Sequence, residues 1–283
     1  MPHPDPDALV RELLPLVRAF CAGEEYGIAL GGSHAKGTAD AHSDVDVYLF
    51  ADAFLPAARR VEMVTARLGD AARAVSWGAD EPFVEGGTDF TADGVLVECW
   101  LRSARQVEAT LGECVRGRIR REHRAWTAMG FFDHVVLGDV HAMRIVDDPA
   151  GMLARWKAMV APYPEPLRAA LLRRFMAEAA FWPENPHYLG AVERGDVIYT
   201  SAIVQQVAQA LVQVVFALDR AYFPGEKKLA NALAKLSSAP RDFAARIQSV
   251  LCPGAHPSPA ELREQSRALA ELVRETREAV AEA

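Results

Sequence analysis

Cysteine is scarce in this 283-residue chain and does not cluster. Cys21, Cys99, Cys114 and Cys252 stand far apart, with no pair at zinc-ligand or redox spacing. That argues against a disulfide scaffold or zinc ribbon and predicts reduced thiols in a cytoplasmic protein. A basic surplus is also missing, since 31 Lys and Arg against 38 Asp and Glu give a formal net charge of −7. Nucleic-acid binders normally carry a basic footprint, so no nucleic-acid partner is expected, and a neutral or cationic small molecule suits the balance better. Long, purely apolar runs are absent too. The most apolar stretch, Val197 to Phe216, contains Gln205, Gln206, Gln209 and Gln213, which predicts a buried helix and no membrane span. The opening Met1-Pro2-His3-Pro4-Asp5-Pro6-Asp7 lacks the basic and apolar regions of a signal peptide, so none is expected.

What is present is the raw material of a packed protein, with 51% hydrophobic and 24% charged residues, in a chain long enough for two ordinary domains. Asp7 to Ala22 has a helical period through Leu9, Leu13, Val17 and Phe20. Tyr26 to Leu30 reads as a short strand entering Gly31-Gly32-Ser33, and Asp44 to Phe50 as a second. Pro56 to Arg73 predicts a helix. Phe83 to Thr91 and Val95 to Leu101 flank Ala92-Asp93-Gly94, and Asp-Gly is a strong hairpin signal. Ser103 is a helix cap, Arg116 to Arg124 reads as a solvated helix face, and short strands are expected at His134 to Leu137 and Arg144 to Val146.

From Asp148-Pro149 onward the period is almost entirely helical, with breakers at Pro162, Pro164, Pro183, Pro224-Gly225, Pro240 and Pro253-Gly254. Helices are expected near 149–161, 165–182, 185–194, 196–221, 227–237, 239–251 and 258–282. The fold class is therefore α/β plus all-α: an N-terminal mixed-sheet domain over residues 1–147 and a C-terminal helical bundle over 148–283.

Chemistry concentrates between Leu30 and Val47. Two glycines turn the chain after a strand, and Ser33 opens a short helix; glycine lets backbone approach a phosphate, and a helix start offers unpaired N–H groups. Asp44 and Asp46 are separated by one residue, so on a strand they share a face. Two carboxylates beside a phosphate cradle suit Mg²⁺, which favours a few carboxylates plus substrate oxygens, and a two-metal clamp ordinarily needs a third acid. Glu98, alone among apolar neighbours in Val95-Leu96-Val97-Glu98-Cys99-Trp100, is the leading candidate, because a lone carboxylate in a buried strand is costly unless it binds something. Asp89 and Asp93 are rivals, although Asp93 is accounted for by the turn.

Gly32-Ser33, ten intervening residues, then Asp44-Val45-Asp46 resembles the signature of the polymerase-beta-like nucleotidyltransferase superfamily. Gly32-Ser33-x-x-Lys36-Gly37 followed by Ser43-Asp44-x-Asp46 is similar to its small bacterial members, and the helical second half resembles that of kanamycin, streptomycin and lincosamide nucleotidyltransferases. The resemblance implies that Gly32 and Ser33 bind the β- and γ-phosphates of ATP or another nucleoside triphosphate. It implies that Asp44 and Asp46 hold two Mg²⁺ ions, and that Glu98 deprotonates the acceptor, binds metal, or both. Lys36 is at a variable position of the motif and is a further candidate for nucleotide binding.

The expected activity is transfer of a nucleoside monophosphate, AMP in the first instance, to a hydroxyl of a small, aminoglycoside-like molecule. Transfer to a protein or RNA, or a non-catalytic regulatory or antitoxin-like role, stands as the alternative. In the second half, Lys227 and Lys228 follow a helix-breaking loop and either reach the triphosphate or are solvated. Gln205, Gln209 and Gln213 share a helix face, as a solvent stripe or an acceptor wall. Arg118 and His123 form an Arg-x4-His pair similar to that of HEPN-type ribonucleases, but their place in a basic run makes coincidence the better reading. Oligomeric state is not legible.

Overall fold

The computed structural model describes residues 5–78, 86–123 and 127–283. In chain order it contains α1 (Pro6–Arg18), β1 (Gly27–Leu30), α2 (Gly32–Lys36), β2 (Val45–Ala51), α3 (Ala57–Leu68), β3 (Val75–Trp77), β4 (Gly86–Ala92), β5 (Val95–Ser103) and α4 (Ala104–Val115). Then come β6 (Arg121–Glu122), β7 (Phe131–Phe132), α5 (Val135–Ala142), β8 (Arg144–Asp147) and α6 (Met152–Val160). The remainder is helical: α7 (Glu165–Ala180), α8 (Pro186–Arg194), α9 (Val197–Leu218), α10 (Leu229–Leu233), α11 (Phe243–Leu251) and α12 (Pro259–Glu282). The fold is thus α/β plus all-α, with a mixed sheet near the N-terminus and helices after it.

The chain packs as two units, Met1–Gly112 with Val136–Pro162, and Glu113–Val135 with Tyr163–Ala283. A cut at 147/148 follows helical character, whereas packing assigns α6 to the sheet and β6 and β7 to the helices.

In the first unit a six-stranded sheet runs β3-β4-β5-β2-β1-β8. β2 and β5 are parallel; the other neighbours are antiparallel. Alternation in β2 and β5 explains the layering. Val45, Val47, Leu49, Val97, Cys99 and Leu101 are buried in one core with Leu9, Leu13, Val17 and Phe20 of the N-terminal segment and Val64 of α3. Each such side chain contributes roughly 1.5–3 kcal/mol when fully buried. The intervening residues Asp46, Tyr48, Phe50, Glu98, Trp100 and Arg102 point to the other face. Asp5 caps α1 by accepting from the Asp7 N–H at 3.1 Å. Ala92 pairs with Val95, and Asp93 (φ 49°) with Gly94 (φ 78°) makes the two-residue turn between them, as the primed hairpin turns require. Phe83 to Glu85, the start of the expected first hairpin strand, lie outside the described residues.

Several expectations are corrected. The helix expected to Arg73 stops at Leu68, where Gly69 takes φ 79°, and the strand β3 was not anticipated. The basic run from Arg116 is not a helix face: α4 ends at Val115, Gly117 turns the chain with φ 78°, and Arg121 enters β6. Arg124 lies outside the described residues. His134 to Leu137 is not a strand, because Val135 to Leu137 open α5; a short apolar run does not by itself separate a strand from a buried helix.

In the helical unit α9 is the core. It is long and apolar enough to cross a membrane, yet most of it is buried, with α7, α8, α11 and α12 packed against it. Gln209 and Gln213 are buried as well, so a solvent stripe does not hold for them, whereas Gln205 is exposed. Gln209 accepts from Arg121, and Gln213 Oε1 lies 2.9 Å from His134 Nε2. Ser258 and Glu261 form a capping box at α12, which buries Leu262, Leu269, Leu272 and Val273.

Candidate active site

The sheet face opposite α1 and α3 carries the acids. In the β2–β5 register Asp46 lies beside Glu98, and in the β5–β4 register Glu98 lies beside Asp89. Directly paired residues project to the same side, so the three carboxylates form a row across adjacent strands. Asp44 sits one residue before β2, not on it. The loop leading there is shaped by Asp40, whose Oδ1 accepts from the His42 N–H at 2.9 Å, while Ser43 Oγ accepts from the Asp40 N–H at 2.9 Å. The charge of Asp44 is felt by both Asp46 and Asp89.

The glycine turn lies over this row, and steric limits explain its sequence. Gly31 donates its N–H to the Asp46 carbonyl at 2.8 Å. A Cβ on Gly31 would fall 2.2 Å from the Tyr48 ring, and one on Gly32 would fall 1.5 Å from Asp46 Oδ2. Gly32 also has φ +54°, a conformation that glycine adopts without penalty. Its N–H donates to the Tyr48 hydroxyl at 3.1 Å. Ser33 Oγ is buried without a hydrogen-bond partner among the described residues. Since α2 has only five residues, an anion at this turn would meet backbone shape rather than a helix dipole.

Burial first, and then the negative charges of Asp44, Glu98 and Asp139, push the Asp46 carboxyl up to about 7, with Lys36 opposing. Asp89 is raised chiefly by burial, opposed by the hydrogen bond from Trp77 Nε1 at 2.9 Å. Glu98 accepts from Trp100 Nε1 at 3.3 Å. Like charges crowded at a half-buried surface favour proton or cation uptake.

Lys36 forms an ion pair with Asp139 at 3.0 Å, and Arg102 approaches the same carboxylate at 3.4 Å. The Arg102 guanidinium also lies over the rings of Tyr48 and Phe50, at 5.1 and 5.4 Å from their centroids. For Asp139, burial acts to raise the carboxyl, but the two cations outweigh it and hold it below the usual range. Tyr48, Arg102 and Asp139 were not singled out from sequence. The first two occupy alternate strand positions that share the face of Asp46 and Glu98, which is a readable signal. Asp139 comes from α5, where a strand and loop were expected.

Lys227 and Lys228 are exposed residues of the helical unit just before α10, with Lys228 at φ 56°. His34 belongs to α2 and His42 to the following turn. Arg118 pairs with Glu113 at 2.5 Å, and His123 lines a 340 Å³ cleft with Arg121 and Gln205.

Among the described residues no three His, Cys, Asp or Glu side chains form a ready-made metal cage. Magnesium ordinarily takes one or two carboxylates and completes its shell with water and substrate phosphate. The donor chemistry fits that mode: an acid row with one carboxyl raised by burial and then by its neighbours, beside a turn where a Cβ would collide and a serine oxygen is orphaned.

Comparison with known proteins gives little beyond this geometry. A family model described as a domain of unknown function (DUF4037) matches residues 132–229. No curated protein matches the sequence. Among solved structures the chain is similar to a nucleotidyltransferase-like protein from Exiguobacterium sibiricum 255-15, with 11% identity, a TM-score of 0.46, and coverage of 95% of this chain and 74% of that one. At that level of likeness nothing about chemistry transfers.

Proposed function

We propose that the chain is a nucleotidyltransferase that moves a nucleoside monophosphate, AMP in the first instance, from a nucleoside triphosphate to an acceptor hydroxyl and releases pyrophosphate. The observation that carries this reading is the contact between the glycine turn and the acid row. At Gly32 only a hydrogen fits over the Asp46 carboxylate, so a phosphate bound by the turn meets the acids directly.

In this reading Gly32 and Ser33 bind the terminal phosphates: Gly32, lacking a side chain, lets a phosphate approach the backbone, and the orphaned Ser33 hydroxyl donates to it. Asp44 and Asp46 would hold Mg²⁺, with Glu98 as the third acid and Asp89 next to it in the row. Bound there, the metal would supply charge neutralisation for the triphosphate. Glu98 takes the proton of the acceptor hydroxyl, and the freed oxygen attacks the α-phosphorus as the bond to pyrophosphate breaks. Positioning and electrostatics do most of such work. The acceptor is a small molecule, and a cationic, aminoglycoside-like one suits the net charge of −7.

Pyrophosphate release from each of the four ribonucleoside triphosphates with Mg²⁺, across a panel of aminoglycosides, lincosamides and simple polyols, tests the reading. Acceptor-dependent release, abolished by Asp46→Ala, is the expected result. Absence of triphosphate binding and of release across the panel would overturn it, and label entering protein or RNA would replace the acceptor class.

A further inference from the structure

We propose that Asp139 is a positioning residue for the nucleotide site, fixing Lys36 at the end of the glycine turn and Arg102 behind Tyr48. The proposal rests on the nucleotidyltransferase reading and deepens it.

The side chains of Asp139, Lys36 and Arg102 are 16%, 21% and 6% exposed. Lysine has a long, flexible stem, and confining its ammonium to one place costs rotamer entropy. A half-buried carboxylate at 3.0 Å meets that cost during folding, before any nucleotide arrives. The second oxygen of the same carboxylate faces Arg102 at 3.4 Å, so one acid anchors two cations.

From Arg102 the contacts lead back to the cradle. Its guanidinium covers the Tyr48 ring, Tyr48 lies against Gly31 where no Cβ would fit, and the Tyr48 hydroxyl accepts from the Gly32 N–H. Asp139 therefore braces the turn from both ends, through Lys36 at the close of α2 and through Arg102 and Tyr48 beneath its start. It also offsets one of two positive charges, leaving the trio with a single net positive charge near a site meant for a polyanion. Asp139 would touch neither nucleotide nor acceptor. Its influence passes through Lys36 and Tyr48.

The test uses the full chain. Binding of a non-hydrolysable ATP analogue with Mg²⁺ is measured by calorimetry, and pyrophosphate release gives kcat and KM. Asp139→Asn and Lys36→Gln should each raise the nucleotide Kd and KM about tenfold, with kcat changed less than about threefold. The double variant should lose about tenfold rather than about a hundredfold, because the two residues act as one unit. Asp139→Glu should recover part of the loss.

If Asp139→Asn fails to fold, Asp139→Glu and Lys36→Gln with their double variant decide the matter by the same non-additivity. A melting temperature that falls while KM stays at the wild-type value, or losses that multiply in the double variant, would overturn the positioning role. A wild-type protein that binds no triphosphate would instead refute the nucleotidyltransferase reading on which the proposal rests.

Discussion

In the sheet unit, three carboxylates stand side by side across β2, β5 and β4, and one of them is driven up to about 7 by burial and its neighbours. In the helical unit, α9 buries the neutral amides Gln209 and Gln213, and each amide oxygen has a partner, Arg121 for Gln209 and His134 for Gln213; Gln213 Nε2 and His134 Nδ1 are buried without one among the described residues. Burying polar groups is tolerable when they are paired and expensive when like charges are pressed together. The first arrangement resists its own fold, a cost that uptake of a proton or a cation would relieve. The second carries no crowding of like charges and contributes to the packing and specificity of the bundle. The same physical accounting thus separates a candidate site from a structural polar core.

The largest effect is expected at Asp46. Asp46→Asn removes one negative charge from the crowd while keeping the shape under Gly32. Transfer activity should fall by roughly a thousandfold, the scale of losing a key electrostatic contact to the transition state. Stability without ligand should rise at pH 8, by roughly 1–2 kcal/mol, as expected where a strained functional site is relaxed. Thermal melts with and without Mg²⁺ check it. A variant less stable than wild type would mean that the acid row is a structural network like the glutamine pairs.

Much of this contrast was legible in the sequence on the sheet side and little of it on the helical side. Gly31-Gly32-Ser33 and Asp46 lie close together in the chain, so strand alternation and the demands of a tight turn place them without long-range information, whereas Asp44, expected on the strand, precedes β2 by one residue. Glu98 was readable as the lone acid of an apolar strand, although its register with Asp46 depends on a parallel pairing across distant segments. Asp139 was invisible because its role depends on α5 packing beside the sheet, and Val135-Val136-Leu137 favours strand and helix alike. Gln209 and Gln213 read as a solvent stripe because periodicity gives the face a residue occupies, not what covers that face.

In the helical unit the next largest effect is expected from pH. Burial drives the His134 imidazole down to about 4, the charge of Arg174 adds to this, and the hydrogen bond with Gln213 opposes it. The ring of Phe132 packs beside it, at 5.6 Å between centroids. Above the ordinary value of 6.5 the ring is neutral whether the chain is folded or not, and the packing contributes in full. As pH falls from 6.5 toward 4 the unfolded chain takes up a proton that the folded one refuses, so stability is lost across that window, by on the order of 3 kcal/mol in total. Urea midpoints at pH 7 and pH 5 should diverge more in wild type than in His134→Asn. Equal slopes would show that this imidazole is not held neutral by the core.

The smallest effect is expected at Gln209. Arg121 donates through Nε and Nη2 to the Met129 carbonyl as well as to Gln209, and its guanidinium covers the Phe132 ring at 5.0 Å. Gln209→Ala therefore removes one of several supports and leaves the cation partly satisfied. Hydrogen bonds to a charged group contribute about 1.5–3 kcal/mol when no substitute exists; with two other supports in place the loss should be nearer 1 kcal/mol. Nucleotide KM should stay unchanged, since in this reading the pair belongs to the bundle and not to the transfer chemistry. Denaturant unfolding together with KM for the triphosphate distinguishes the cases: a selective rise in KM with no loss of stability would move Gln209 out of the structural class and erase the contrast between the two polar sets.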